Sequence, residues 1–389
     1  MYLQDVGLVC ALGNSKLDIW SRWLAGECLT PAAVEGLDCS VPALAVQAEL
    51  PVIPLQWKHF DCRTNRLLLA ASAQITPVLS KAVQRYGSDR IGLVLGTSTS
   101  GIAEGERAIQ GYAHEHAMPA GFDYRQQALG GAAAFLAEHL AIHGPTYTVS
   151  TTCSSSAHAL ASARRLLRLG LCDAVVVGGS DSLCRTTLEG FSALGAVSRK
   201  GCNPFSRNRD GTIIGEGAAL FLMSREPSEI ALLGVGASAD AYHISGPRPD
   251  GVCAYTAMQA AITDAGLRPE QVDYINLHGT GTLQNDAMES RAVHRLFGSQ
   301  VACASSKPAT GHCLGAGGAI EAGLCWLLLS ALNTENRLPL HHWDGEWDVE
   351  LPRLGFVRLE KPLPKRLQYC LSNSFSFGGN NVSLLIGRS

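Results

Sequence analysis

The chain has little charge and almost no bias in its sign: 17% of its 389 residues are charged and the formal net charge is −3. It therefore lacks the positive field with which a protein holds nucleic acid or an anionic membrane. It also lacks any C-x-x-C pair despite 13 cysteines. An odd number in so long a chain, with no paired spacing, argues against a disulfide scaffold. No basic region precedes an apolar stretch in "MYLQDVGLVCALGNS", and the longest apolar run, near "GLCWLLLSAL", is too short for a bilayer. A cytoplasmic protein is expected. H-E-x-x-H, G-x-x-x-x-G-K-[ST], a strand-placed G-x-G-x-x-G and G-x-S-x-G are all missing, which weighs against zinc, nucleotide and serine-hydrolase chemistry. No metal is expected.

What is present is glycine, at 41 residues, and apolar side chains, at 46% of the chain. "RIGLVLGTSTSG", "TYTVSTTC", "DAVVVGGSDS", "DYINLHGTGT" and "QVACASSK" are short apolar or β-branched runs, each followed by a small polar turn and then helical spacing. Runs of this kind belong in sheets covered on both faces, and their alternation with helices predicts an α/β layered architecture. The chain also echoes itself: "YTVSTTCSSSAHALASARRLL" and "VACASSKPATGHCLGAGGAIEAGLCWLLL" both read strand, small turn, Ala/Gly-rich helix. Helices so poor in bulk suit burial between two sheets. No low-complexity linker interrupts the chain, so two intimately packed halves are expected, divided around residues 223–240.

Cys153 stands where the first of these strands gives way to its helix. A thiol has a reference pKa of about 8.5 and reacts as the thiolate. A helix N-terminus supplies partial positive charge and free N–H groups that favour the anion on sulfur and later on an oxyanion. His278 in "NLHGTGT" and His312 in "SSKPATGHCLGAGG" each follow an apolar strand inside a Gly/Thr-rich loop, where α/β folds place reactive groups. Both rings are expected at a shared cavity. His114, His116, His341 and His342 lie in polar stretches and are read as solvent-facing.

"STTCSSSAHAL", "NPFSRNRDGTIIGEGAA", "LHGTGTLQNDAMES", "SSKPATGHCLGAGGAIEA" and "SNSFSFGGNNVSLLI" resemble, in order and spacing, the β-ketoacyl-[acyl carrier protein] synthases of the condensing-enzyme group. The resemblance spans nearly the whole chain. It implies a thiolase-like, five-layered α-β-α-β-α architecture from two pseudo-duplicated halves: residues 1–225 with the nucleophile and 226–389 with the two histidines, in one catalytic unit. It implies a decarboxylative Claisen condensation in which Cys153 takes an acyl group as a thioester and malonyl on a second carrier supplies the attacking carbon. His278 and His312 would then be donors to the enolate oxygen. The backbone N–H groups of Cys153 and Phe377 would form the oxyanion hole for the first thioester, with Phe377 also a gating aromatic before flexible glycines. Lys307 would pair with Glu321, an acid that is costly on so apolar a helix without a partner. Asp286 and Glu289 share a helix face and match acidic positions near the family's active site, their plainer reading being a solvated helix start. Thr280 and Thr282 are placed for a pantetheine or malonyl group.

The elongating class with two histidines is the one resembled. A retained Cys153 differs from the silent chain-length-factor relatives, which stay as the alternative reading. The serines of "TTCSSS", where primary fatty-acid enzymes resemble T-A-C-A, point to secondary-metabolite synthases. Thr99 and Ser100 in "GTSTSGIAEGE" fall where the family ends its acyl pocket, and their small size suggests a long or rigid unsaturated chain such as a polyene, as in an aryl-polyene synthase. No cofactor is expected on the chain itself; phosphopantetheine would arrive on an acyl carrier protein. A dimer is expected, with "TYTVST" at its interface and either a second copy or a chain-length-factor homologue as mate. Arg63, Arg66, Arg207 and Arg209 are candidates for docking the acidic carrier, beside the plainer reading of solvated charge.

Overall fold

The computed structural model describes residues 1–358 and 362–389. In the first half the strands are β1 (Tyr2–Cys10), β2 (Ile91–Gly96), β3 (Thr146–Val149), β4 (Ala174–Asp181) and β5 (Gly217–Ser224). In the second they are β6 (Ile230–Ala239), β7 (Tyr274–Asn276), β8 (Ala302–Ala304), β9 (Tyr369–Phe375) and β10 (Asn380–Arg388). The spatial order β1-β5-β4-β2-β3 is matched by β6-β10-β9-β7-β8. Strand directions match as well: two antiparallel pairs, then two parallel ones. The two halves of this eleven-stranded sheet join where Tyr2 of β1 meets Ala231 of β6 and Leu232 N donates to Met1 O, and Gly355–Phe356 extends the far edge beside β8. The internal echo in the sequence is thus a duplication of topology. The opposite edge is β3, the "TYTV" strand, whose one neighbour is β2.

Helices α1 (Arg63–Tyr86) and α2 (Gly131–Leu140) cover the outer face of the first sheet. α3 (Ser155–Arg168) lies between the sheets, and α4 (Arg185–Ala193) follows β4. In the second half α5 (Val252–Asp264) and α6 (Leu283–Phe297) cover the outer face, and α7 (Gly317–Leu329) joins α3 in the middle. This is the expected five-layered stack.

The longest apolar run, "GLCWLLLSAL", falls mostly in α7. All residues of α7 except Trp326 are buried, as befits a helix that is apolar all round. Small side chains let α3 and α7 touch: a Cβ on Gly318 would stand 2.9 Å from that of Ala157. Among the described residues no helix is long and apolar enough to cross a membrane. All thirteen cysteines are free thiols.

Candidate active site

Three chain segments meet where the mirrored strand–turn–helix units face each other. Thr152, a β-branched residue, is held at φ +53°, a left-handed conformation that costs about 1–3 kcal/mol and persists only where its surroundings demand it. That turn places Cys153 at the mouth of α3, with Ser154 as the N-cap residue. His278 follows β7, and the N–H of Leu277 still donates to Ala304 O. His312 is clamped by its own backbone: its N–H donates to Ile213 O at 2.7 Å and its carbonyl accepts from Gly215 N at 3.0 Å.

The result is a compact triad. His312 Nε2 lies 3.0 Å from Cys153 Sγ, and the rings of His278 and His312 stand edge to face with centroids 5.4 Å apart. A cavity of about 310 Å³ reaches all three, with Thr280, Thr282 and Phe377 also on its wall. The backbone N–H groups of Phe377 and of Cys153 itself favour negative charge on Sγ. Phe377 stacks on Phe191 of α4 at 5.3 Å, and its loop is tied to the cysteine's by Thr152 Oγ1 donating to Phe377 O and by Ser154 Oγ against Ser376 Oγ. Thr280 and Thr282 share a hydroxyl contact of 2.9 Å.

Electrostatics around the triad differ from the sequence expectation in one respect. The helix terminus was expected to favour thiolate, yet burial pushes the Cys153 thiol up to about 12, outweighing the Lys307 charge and the two N–H groups that pull it down. The resting sulfur carries its proton. Burial first, and then the Lys307 charge, also hold His278 and His312 well below the usual imidazole range, so both rings are neutral.

Lys307 is itself buried and donates to three acceptors: Glu321 Oε1 at 2.6 Å, the carbonyl of His278, and His278 Nδ1 at 3.4 Å. An ammonium has no lone pair to offer, so His278 Nδ1 must be the acceptor and its proton must sit on Nε2, toward the cavity. His312 Nδ1, by contrast, is buried with no hydrogen-bond partner among the described residues.

Asp286 and Glu289 are not a solvated helix start: both are fully buried. Glu289 accepts from His278 N at 2.8 Å and Gly279 N at 2.7 Å, and Asp286 accepts from Phe205 N at 2.7 Å and Gly281 N at 3.2 Å. They fix the His278 loop by its backbone. Asn373, which sequence reasoning passed over, donates to Glu289.

Burial raises Asp286 to about 6 and Glu289 to about 7. A carboxyl raised above its unfolded value contributes stability that is full below the unfolded pKa and is lost as pH rises through the folded one. For Glu289 that window runs from the ordinary carboxyl value of 4.5 to about 7. Glu289→Gln, which cannot ionise, should therefore lose more stability against wild type at pH 5 than at pH 8, as read from thermal melts; an equal loss at both would contradict the raised value.

The remaining candidates fall outside the cavity wall. Thr99 is buried with its N–H and hydroxyl both 2.8 Å from Asp181 Oδ1, and Ser100 is buried with its hydroxyl donating to Ala128 O. Arg63 is fastened to the buried Glu216, Arg66 to Asp61 and Arg207 to Glu346. Arg209 is neither a docking group nor solvated: it is buried and held by Ser206 O, Leu283 O and Asp348. Two of the four histidines expected to face solvent do not. His341 is buried and His342 half-buried, whereas His114 and His116 are exposed as expected.

The profile described as "Beta-ketoacyl synthase, N-terminal domain" matches residues 63–228, and that described as "Beta-ketoacyl synthase, C-terminal domain" matches residues 230–338. A Rhizobium meliloti (strain 1021) protein named 3-oxoacyl-[acyl-carrier-protein] synthase 2 is 38% identical over 267 residues, covering 64% of this chain and 62% of its own length. A protein of the same name from Synechocystis is 30% identical across 97% of this chain and 95% of its own. Among solved structures, a ketosynthase (ApeO) in complex with its chain length factor (ApeC), from Xenorhabdus doucetiae, is 43% identical with a TM-score of 0.94, covering 100% of this chain and 98% of that one.

Proposed function

The chain belongs to the β-ketoacyl synthase family, and on that premise we propose that it condenses an acyl group held on Cys153 with malonyl delivered by an acyl carrier protein. The observation that carries this reading is the 3.0 Å approach of His312 Nε2 to Cys153 Sγ with the His278 ring beside it on one cavity. The nucleophile comes from residues 1–225 and both imidazoles from 226–389, so the halves make one catalytic unit.

In the first half-reaction Sγ attacks the thioester carbon of the acylated phosphopantetheine arm while its proton passes to His312 Nε2. The tetrahedral oxyanion rests on the N–H groups of Cys153 and Phe377. Collapse expels the arm's thiolate, which takes the proton from His312, and Phe377 withdraws from Phe191 to admit the chain. In the second, malonyl binds with its thioester oxygen between the two imidazoles, and Thr280 and Thr282 hold the arm. The C–C bond to the carboxylate breaks and CO2 leaves. The electron pair of that bond becomes an enolate, held by Nε2–H of His278 and by Nε2–H of His312, which takes up a proton from solvent as malonyl binds; the enolate carbon attacks the acyl thioester and expels the Cys153 thiolate, which takes that proton from His312. His278 has its proton fixed on Nε2 by Lys307, as a permanent donor requires. His312 has an unengaged Nδ1, which leaves it able to accept a proton in one step and donate in the next.

The substrate class we favour is a long or rigid unsaturated acyl chain of polyene type, supported by the "TTCSSS" motif and by the small Thr99 and Ser100 at the positions where the family ends its acyl pocket. A dimer is proposed because β3 leaves a sheet edge open and Ile109, Tyr112, Met118 and Tyr124 are exposed apolar groups that a partner would cover. A chain-length-factor homologue is the favoured mate, since the 43% identical ketosynthase was solved in complex with one.

The test is intact-mass analysis of the chain, alone and co-expressed with such a homologue, after incubation with acyl-loaded carrier and then with malonyl-carrier. An acyl mass gain, its disappearance on adding malonyl-carrier and release of CO2 are expected. No gain with any acyl chain, saturated or polyene, would leave the silent-partner reading standing instead.

A further inference from the structure

We propose that His341 is a positioning residue for the malonyl half-reaction, closing a ring of hydrogen bonds around the loop that carries His278 and Thr280. The inference rests on the condensing reading above.

His341 is buried, and both of its ring nitrogens are used. Nδ1 accepts from Ser305 N at 3.2 Å and Nε2 faces Pro204 O at 3.2 Å, so the ring is neutral with its proton on Nε2. Burial holds its pKa down to about 3, and the ring stacks on Phe356 at 4.1 Å. From Ser305 the ring of bonds continues through Ser305 Oγ, which donates to Gly279 O at 2.7 Å. From Pro204 it continues through Phe205, whose N–H donates to Asp286, and Asp286 in turn accepts from Gly281 N. Residues 279–281 are thereby gripped at both ends.

The two segments His341 joins are also the ones that press on this loop. A Cβ on Gly279 would lie 2.6 Å from Ser305 Cβ and 3.1 Å from the Phe205 ring, while Gly279 sits at φ +40° and Phe205 at φ +62°. A strained, close-packed loop keeps its height only while both supports stay in place. If they part, His278 Nε2 and Thr280 move relative to the enolate oxygen, where a 1 Å error costs up to about a hundredfold in rate. No bond of this ring reaches Cys153, His312 or Phe377, so acyl loading does not depend on it.

The test separates the half-reactions in the full chain with its partner: acyl loading by intact mass, and kcat and KM for malonyl-carrier decarboxylation by CO2 release. His341→Phe keeps a ring against Phe356 but neither hydrogen bond. It should load acyl within about threefold of wild type and lose tenfold or more in decarboxylation kcat. His341→Asn restores an acceptor near Nδ1 and His341→Gln a donor near Nε2, and each should recover part of the loss. Equal losses in both half-reactions, or none in either, would overturn the proposal. Should the Phe variant be insoluble, Ser305→Ala breaks the same ring at Gly279 and must show the same split, an equal loss again overturning it. A wild type inactive in both half-reactions would sink the condensing reading and this one with it; an active wild type beside unsplit variants sinks this one alone.

Discussion

Cys153→Ala is expected to abolish acyl loading while malonyl decarboxylation continues, and His278→Ala to do the reverse. The asymmetry follows from which groups hold which charge. The sulfur is the one atom that can carry the acyl group, so its removal leaves no adduct at any concentration of acyl-carrier. The imidazole donors do not depend on it: His278 is oriented by Lys307 from behind and by Glu289 through its own N–H, and His312 by the 213–215 backbone. Both rings keep their places around the malonyl oxygen in the alanine variant. His278→Ala removes one of two donors to the enolate, which in comparable oxyanion sites costs about 10²–10³ in rate, or about 2.7–4 kcal/mol. Loading in that variant should fall only a few-fold, because the first oxyanion rests on backbone N–H groups. Intact mass and CO2 release on the same samples read both effects. A Cys153→Ala enzyme that no longer decarboxylates, or a His278→Ala enzyme that no longer loads, would mean the groups serve other steps than those assigned.

The fold was legible in the sequence because its determinants are local. Strands β2, β3, β4, β7 and β8 are short apolar runs closed by small polar turns, and the small-residue composition of α3 and α7 announces helices that must let others come close. Cys153, His278 and His312 were legible for a related reason: reactive side chains among Gly, Ser and Thr have no packing role to explain them.

What stayed hidden depends on tertiary contacts. The Asp286/Glu289 pair has the spacing of an ordinary first helical turn. Its burial is decided by the loop at 278–281 and by Phe205, more than 70 residues earlier in the chain. His341 sits in the polar string "LHHWDGEWD", and nothing within it tells that Ser305 and Pro204 will arrive on either side of the ring. Arg209 looks like its exposed neighbour Arg207 until Asp348 is brought against it. The thiol's raised pKa stays hidden because the helix terminus that lowers it is visible in sequence, whereas the burial that outweighs it is not.

Lys307→Met should be the most destabilising substitution in the site, and its cause can be separated from its effect on catalysis. Lys307 and Glu321 form a buried pair at 2.6 Å, with side chains 1% and 4% exposed. Removing one partner of such a pair leaves an uncompensated charge and costs about 3–5 kcal/mol. Burial already raises the Glu321 carboxyl, opposed by the Lys307 charge and hydrogen bond. Without Lys307 its folded pKa moves further above the unfolded value, and a group raised in this sense stabilises fully below the unfolded pKa and less as pH climbs through the folded one. The variant should therefore lie nearest wild type in acid and furthest from it at pH 8. Adding Glu321→Gln removes the stranded charge and should recover most of the lost stability at pH 8, as followed by denaturant unfolding. It should not recover decarboxylation, because nothing then holds His278 Nδ1 as an acceptor and the ring can turn its lone pair toward the enolate. The missing charge also releases His312 toward higher pKa, so the acid limb of acyl loading should shift to higher pH in the double variant. A double variant that decarboxylates like wild type would show that Lys307 is there for stability alone.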